Sequence, residues 1–238
     1  MNNDELKISE EAILFAKNHK KEIADKFTDV SLYPPDSSPI YIVMAGSPGA
    51  GKTEFSKRLL EQFEKPNRKV VRIDPDDFRS LLPGYDGKNS FLFQGAVSII
   101  TDRILDNLFH QNQSFILDGT CSHYGPAIKN IKRALEHNRF VFLFFVYQHP
   151  KTAWEVTKAR ELKEGRNISK EIFIEEFLSA QETVTKLKQE FKEKLILNFV
   201  VKEVLSEIVN VYSGIDSIYD KLSERFTREE LYSILKAL

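Results

Sequence analysis

The chain has 238 residues, a single cysteine and a formal net charge of −1, from 34 lysines and arginines against 35 aspartates and glutamates. That length supports one α/β domain with its own core, and the near-neutral charge argues against nucleic acid or an anionic membrane as the main partner. The lone Cys121 excludes an internal disulfide framework and a thiolate zinc site, which suits a reducing, cytoplasmic setting.

The opening segment, MNNDELKISE, contains acidic residues and no apolar stretch, so no secretory signal is expected. Residues 9–28 then predict a helix, with Ala12, Phe15, Ala16, Ile23 and Phe27 on one face and Glu10 and Glu11 in the first turn. The proline-rich run from Tyr33 to Pro39 ends it. Four strands are predicted next, at Ile40–Met44, Lys69–Ile73, Ser114–Leu117 and Phe140–Tyr147, with helical patterns between them. Leu195–Val201 is a fifth candidate, and the tail from Ser217 reads mostly as helix. The longest apolar run, FVFLFFVY at Phe140–Tyr147, has the length of a buried strand and not of a membrane span. Strands alternating with helices predict right-handed crossovers and a parallel sheet with helices on both faces. The expected organisation is one domain over 1–238, with an N-terminal helical segment at 1–39, a core at 40–202 and a helical C-terminal tail at 203–238.

The first strand runs into Gly46-Ser47-Pro48-Gly49-Ala50-Gly51-Lys52-Thr53, a full match to G-x-x-x-x-G-K-[ST]. Glycines let the backbone turn its N–H groups inward, where they and the positive end of the next helix meet a polyphosphate. Phe55, Leu59 and Phe63 have the spacing of that helix's apolar face. Lys52 is expected on the β and γ phosphates and the Thr53 hydroxyl on Mg²⁺, with ATP or GTP as the nucleotide. The fold class is therefore α/β, of the P-loop kinase type.

Ligands in open α/β sheets sit at the carboxyl ends of the strands. The second strand ends in Asp74-Pro75-Asp76-Asp77-Phe78-Arg79, and Asp76 is the candidate base for an acceptor hydroxyl. Asp74 or Asp76 is alternatively the N-cap of the helix that starts near Phe78, while Asp77 is expected to serve that helix's N-terminus. The third strand ends in Leu117-Asp118-Gly119-Thr120, where Asp118 positions hydrated Mg²⁺ or the substrate. Asp118, Thr120 and Arg79 are assigned to the acceptor side, and Cys121 to packing beneath the site. Arg160 and Arg166, six residues apart around Gly165, are candidates to reach inward from a lid and stabilise the transferring phosphoryl group. His149-Pro150 and Trp154 read as structural, and no histidine spacing suggests a transition-metal site.

Taken together, GSPGAGKT, VVRIDPDDFRSLLPGY, FILDGT and the R-E-x-x-x-G-R pattern of Arg160 to Arg166 resemble the zeta toxin family of P-loop kinases over roughly residues 5–200. The resemblance implies phosphorylation of the sugar 3′-hydroxyl of UDP-N-acetylglucosamine by ATP or GTP. It carries the base onto Asp76, acceptor contacts onto Asp118 and Thr120, and nucleotide-phosphate contacts onto Lys52, Thr53, Arg160 and Arg166. It also implies a separate antitoxin protein as a partner. Two other readings share the phosphate loop: a kinase for an antibiotic, nucleoside or dinucleotide, and a nucleotide-dependent switch with little turnover.

Overall fold

The structure, a computed structural model, describes residues 1–64, 69–164, 168–202 and 209–236. Its centre is a six-stranded sheet formed by β1 (Ile40–Ala45), β2 (Val70–Ile73), β3 (Ser114–Leu117), β4 (Phe140–Tyr147), β5 (Leu195–Lys202) and β6 (Val209–Ser213). The spatial order is β2-β3-β1-β4-β5-β6, parallel throughout except for β6, which runs antiparallel to β5. The strands predicted from sequence match to within a residue at each end. The helical tail needs correction. Val209–Ser213 forms the antiparallel edge strand, and beyond it, among the described residues, only a 3₁₀ turn at Ile218–Asp220 and the short α7 (Arg228–Ile234) are helical. The β6 backbone pairs with β5, and Ser213 also donates to the buried Asn198 side chain at 2.6 Å, a contact no local pattern encodes.

Strand residues alternate between two apolar layers. Ile40, Ile42 and Met44 of β1 join Phe144 and Val146 of β4 beneath α2 (Lys52–Phe63), where Leu59 is buried and Phe55 and Phe63 meet Phe144 and Phe142 at ring distances of 5.6 and 6.0 Å. Tyr41, Val43 and Ala45 face the opposite way, into the larger layer under α1 (Asn3–Phe27), α3 (Gln94–His110), α4 (Tyr124–Glu136) and α6 (Lys170–Phe191). A 12-residue helix such as α2 is marginal in isolation, so its stability comes from this aromatic contact with the sheet.

Helix α1 begins at Asn3, earlier than the apolar periodicity implies, because Asn2 and Glu5 form a reciprocal capping box. Its small residues Ala12, Ala16 and Ala24 are buried, and α1 lies along α3, where a Cβ on Gly95 would stand 3.2 Å from Ile13. The buried Thr28 ties this pair together by accepting a hydrogen bond from Asn107 at 3.0 Å. Arg139, also buried, donates to the carbonyls of Gln113 and Leu108 and lies over the Phe109 and Phe115 rings, fastening the entry to β4 against the entry to β3. Among the described residues no helix is long and apolar enough to cross a membrane.

The chain leaves β1 towards β2 on one side and leaves β3 towards β4 on the other. The crevice at their carboxyl ends is thus a topological switch point, where this sheet class binds ligands.

Candidate active site

The loop from Gly46 to Thr53 takes its shape from three residues with left-handed backbone, Gly46 (φ +134°), Gly49 (φ +71°) and Gly51 (φ +88°). Two of them also sit against other backbone. A Cβ on Gly46 would be 2.3 Å from the Val146 carbonyl oxygen, and one on Gly49 would be 2.0 Å from that of Ala153, in α5 (Pro150–Glu164). The loop is therefore moulded onto β4 and α5. The Gly46 N–H donates to the Thr120 carbonyl at 3.1 Å, which fastens it to the turn after β3 as well.

Lys52 folds its ammonium over the loop and donates to the carbonyls of Gly46 at 3.0 Å and Ser47 at 2.6 Å. Burial pushes its pKa down to about 8, against the attraction of Asp118, while Arg160 adds to the lowering. A polyphosphate in the loop would add counter-charge to this buried ammonium.

Asp118 leaves β3 into the same crevice and is only 3% exposed. Its backbone N–H extends the sheet by donating to Ile73, and its Oδ2 accepts from the Ser56 hydroxyl at 2.8 Å and from the Arg72 guanidinium. Asp74, at the end of β2, caps the 3₁₀ helix Pro75–Leu81 by accepting the Asp76 N–H at 3.1 Å, while Asp77 lies uncapping in the first turn. Of the alternatives open in sequence, Asp74 is thus the cap, and Asp77 stands in the first turn at the helix N-terminus, where it faces Arg72 at 3.7 Å. Burial raises the Asp74 pKa, Asp118 and Asp76 add to the rise, and Arg72 opposes it.

Asp76 makes an ion pair with Arg79 at 2.7 Å, and Arg79 is largely buried with a second bond to Gln94 at 3.3 Å. Arg160 reaches the mouth of the crevice from α5 and pairs with Glu54, in the first turn of α2, at 2.6 Å. Thr120 meets Ser122 at 3.0 Å in a turn where Cys121 adopts φ +54°. Burial pushes the Cys121 thiol up to about 12, so it is no nucleophile at neutral pH. Arg166 and Gly165 lie outside the described residues.

One cavity of about 270 Å³ joins these groups. Pro48, Gly49, Lys52, Thr53, Asp76, Asp118 and Arg160 all line it, as do Arg79 and Thr120, whereas Gly46, Ser47, Ala50 and Gly51 of the phosphate loop are not part of its lining. Sequence reasoning missed Ser56 and Arg72, which bind Asp118, and Gln94 and Glu176, which also line the cavity. Arg72 had a signal: it is the one charged residue in the strand VVRI.

The sequence profile named Zeta toxin matches residues 23–221, most of the chain. The chain belongs to the zeta toxin family. No curated protein matches this family member in sequence. Among solved structures, that of the PezAT chromosomal toxin–antitoxin system of Streptococcus pneumoniae is similar with a TM-score of 0.65 and 16% identity, covering 100% of this chain and 94% of that one. The AvrRxo1-ORF1:AvrRxo1-ORF2 complex with sulphate ions gives 0.60 and 16%, over 90% of this chain and 71% of that one. The Pnkp1/Rnl/Hen1 RNA repair complex gives 0.51 and 19%, over 64% and 47%. At such identities the likeness is one of fold, and the fold is that of zeta toxin family P-loop kinases, with the mixed, mostly parallel sheet described above.

Proposed function

We propose that the protein is a kinase that transfers the γ-phosphoryl group of ATP or GTP to a hydroxyl of a small molecule, the sugar 3′-hydroxyl of UDP-N-acetylglucosamine. The observation that carries the reading is that one cavity is lined both by the phosphate loop and by Asp76. A switch needs the first of these and has no use for the second.

In this reading the loop N–H groups and Lys52 hold the β and γ phosphates. The Asp76 carboxylate orients the acceptor hydroxyl and takes its proton as the oxygen attacks the γ phosphorus. The bond from phosphorus to the β-γ bridging oxygen breaks, and the nucleoside diphosphate leaves with the electron pair. Arg79, paired with Asp76, fixes the direction of the carboxylate, and Arg160 exchanges Glu54 for the charge that spreads over the phosphoryl oxygens. Asp118 and Thr120 contact the acceptor or its surrounding water.

The residues fit Mg²⁺. The Thr53 hydroxyl and the Asp118 carboxylate are hard oxygen donors on one cavity wall, and among the described residues no group of three or more His, Cys, Asp or Glu could hold a metal. A metal here would thus be bound largely through nucleotide phosphates, as Mg²⁺ usually is. It would neutralise charge on the β and γ oxygens. A further solved structure of the AvrRxo1-ORF1 complex, with ATP, gives a TM-score of 0.58 and supports a nucleotide in this site. The toxin–antitoxin neighbour supports a separate antitoxin as partner.

The test is Asp76→Asn. ATP affinity should stay within about threefold while transfer falls about 10²- to 10⁴-fold, the usual worth of general-base help. Product is read by mass shift of UDP-N-acetylglucosamine. A wild-type rate in the variant removes Asp76 as base. Wild-type protein that modifies a different sugar, nucleoside or antibiotic corrects the acceptor, and tight ATP binding with no product from any acceptor removes the kinase reading.

A further inference from the structure

The acidic ends of β2 and β3 present an electrostatic difficulty. Asp74, Asp76 and Asp118 all line one crevice, and carboxylates so arranged repel each other and resist burial. Arg72 is the cation set among them, in the middle of β2 with its side chain 13% exposed. Its guanidinium makes three kinds of contact at once. Nε donates to the Ser56 hydroxyl at 2.9 Å, and Nη2 donates both to Asp74 Oδ2 at 2.8 Å and to Asp118 Oδ2. Nη1 faces Asp77 at 3.7 Å.

Each of these partners belongs to a different working part. Ser56 is fully buried on α2, one turn after the phosphate-binding Thr53, and its single hydroxyl proton serves Asp118 at 2.8 Å or the Thr53 carbonyl at 3.0 Å. Asp118, at the end of β3, is the carboxylate assigned to the acceptor or its water and lines the same cavity. Asp74 divides its oxygens: Oδ2 goes to Arg72, and Oδ1 accepts the N–H of Asp76. The side chain that pins Asp74 therefore also pins the backbone turn carrying the candidate base.

We propose that Arg72 is a positioning residue of this site, which rests on the kinase reading above: one guanidinium sets α2, the β3 carboxylate and the Asp76 turn in a common geometry. A planar fork with five donors can serve a hydroxyl and two carboxylates together, and a lysine ammonium, with three donors at one point, cannot reach all of them. Asp76 and the phosphate loop then hold their separation when nucleotide and acceptor arrive, and an error of about 1 Å in such a separation costs roughly 10²-fold in rate.

The test uses Arg72→Met and Arg72→Lys in the full chain, with steady-state kinetics and crystal structures of each beside the wild type. In Arg72→Met, kcat should fall about 10²-fold with nucleotide KM within about threefold, because the loop and Lys52 are untouched. Arg72→Lys should recover part of kcat, since it restores the charge without the fork. A residue that only stabilised the fold would lower the melting temperature and leave kcat per folded molecule unchanged, and that result overturns the proposal. If Arg72→Met does not fold, Arg72→Lys replaces it, expected to fold and to stay at least about tenfold slow in kcat. The crystal structures decide independently of turnover. Displaced Asp74 and Asp118 carboxylates and a shifted Asp76 turn support positioning, and an unmoved site in the variants refutes it, even if wild-type protein proves inactive and the kinase reading falls.

Discussion

Replacing Gly49 by alanine tests whether the phosphate loop is shaped by α5 as the geometry requires. The added Cβ would lie 2.0 Å from the Ala153 carbonyl oxygen and 2.7 Å from the Thr157 hydroxyl, so loop or helix must move. Thr157 cannot turn away freely, because its hydroxyl donates to that same Ala153 carbonyl at 2.8 Å. The φ of +71° adds a left-handed penalty of about 1–2 kcal/mol for any residue with a Cβ. Relief of the clash costs at least about 1 kcal/mol more, by analogy with overpacked cores. The sum, roughly 2–3 kcal/mol, corresponds to a melting temperature lower by about 4–12 °C for a chain of this size. Gly119 lines the same cavity, yet a Cβ there would meet nothing within 4 Å, so Gly119→Ala should melt within about 2 °C of wild type. Differential scanning calorimetry on both variants measures the contrast, and titration with ATP should show affinity lost at least about tenfold in Gly49→Ala. If Gly49→Ala melts and binds ATP like wild type, the close packing of loop against α5 is not a constraint on either.

Two further outcomes concern the cations. With Lys52 at about 8 in the free protein and raised again by bound phosphates, nucleotide binding should take up a proton above that pH, and affinity should decline as pH rises through about 8. Titrations from pH 7 to 9.5 check this; a flat affinity in wild type, or a slope that persists in Lys52→Ala, refutes the assignment. Arg160→Ala should lower kcat about 10²-fold, whereas Glu54→Gln should change nucleotide KM less than about threefold, because an exposed ion pair contributes at most about 1 kcal/mol. Kinetics in which the Glu54 variant loses as much as the Arg160 variant would make their pair part of the catalytic arrangement.

The contiguous parts of this protein were legible in its sequence. A phosphate loop is eight adjacent residues, and its flanking strand and helix carry their own periodicities of two and 3.6. Each buried strand is an apolar run with its own turn residues, so β1, β3 and β4 could be placed almost to the residue. The carboxylates Asp74, Asp76 and Asp118 were visible because they end such runs. Their roles were less so. Which acid capped the turn after β2 depended on backbone angles at Asp74, and Asp76 had the same chemistry for it.

Other features came from tertiary structure. The bonds that Asp118 accepts from Arg72 and Ser56 span 46 and 62 residues, and neither leaves a local pattern beyond one arginine in an apolar strand. The edge strand β6 lacks an alternating pattern strong enough to announce it and exists because β5 offers an unpaired edge. Gly49 is required by its own left-handed turn and also by the Ala153 carbonyl, which approaches from α5 more than a hundred positions away. Short-range order follows from the covalent chain and the hydrophobic period, which act between neighbours in sequence. The assembled crevice follows from packing, which brings β2, β3, α2 and α5 to one point only once the parallel sheet has closed around β1.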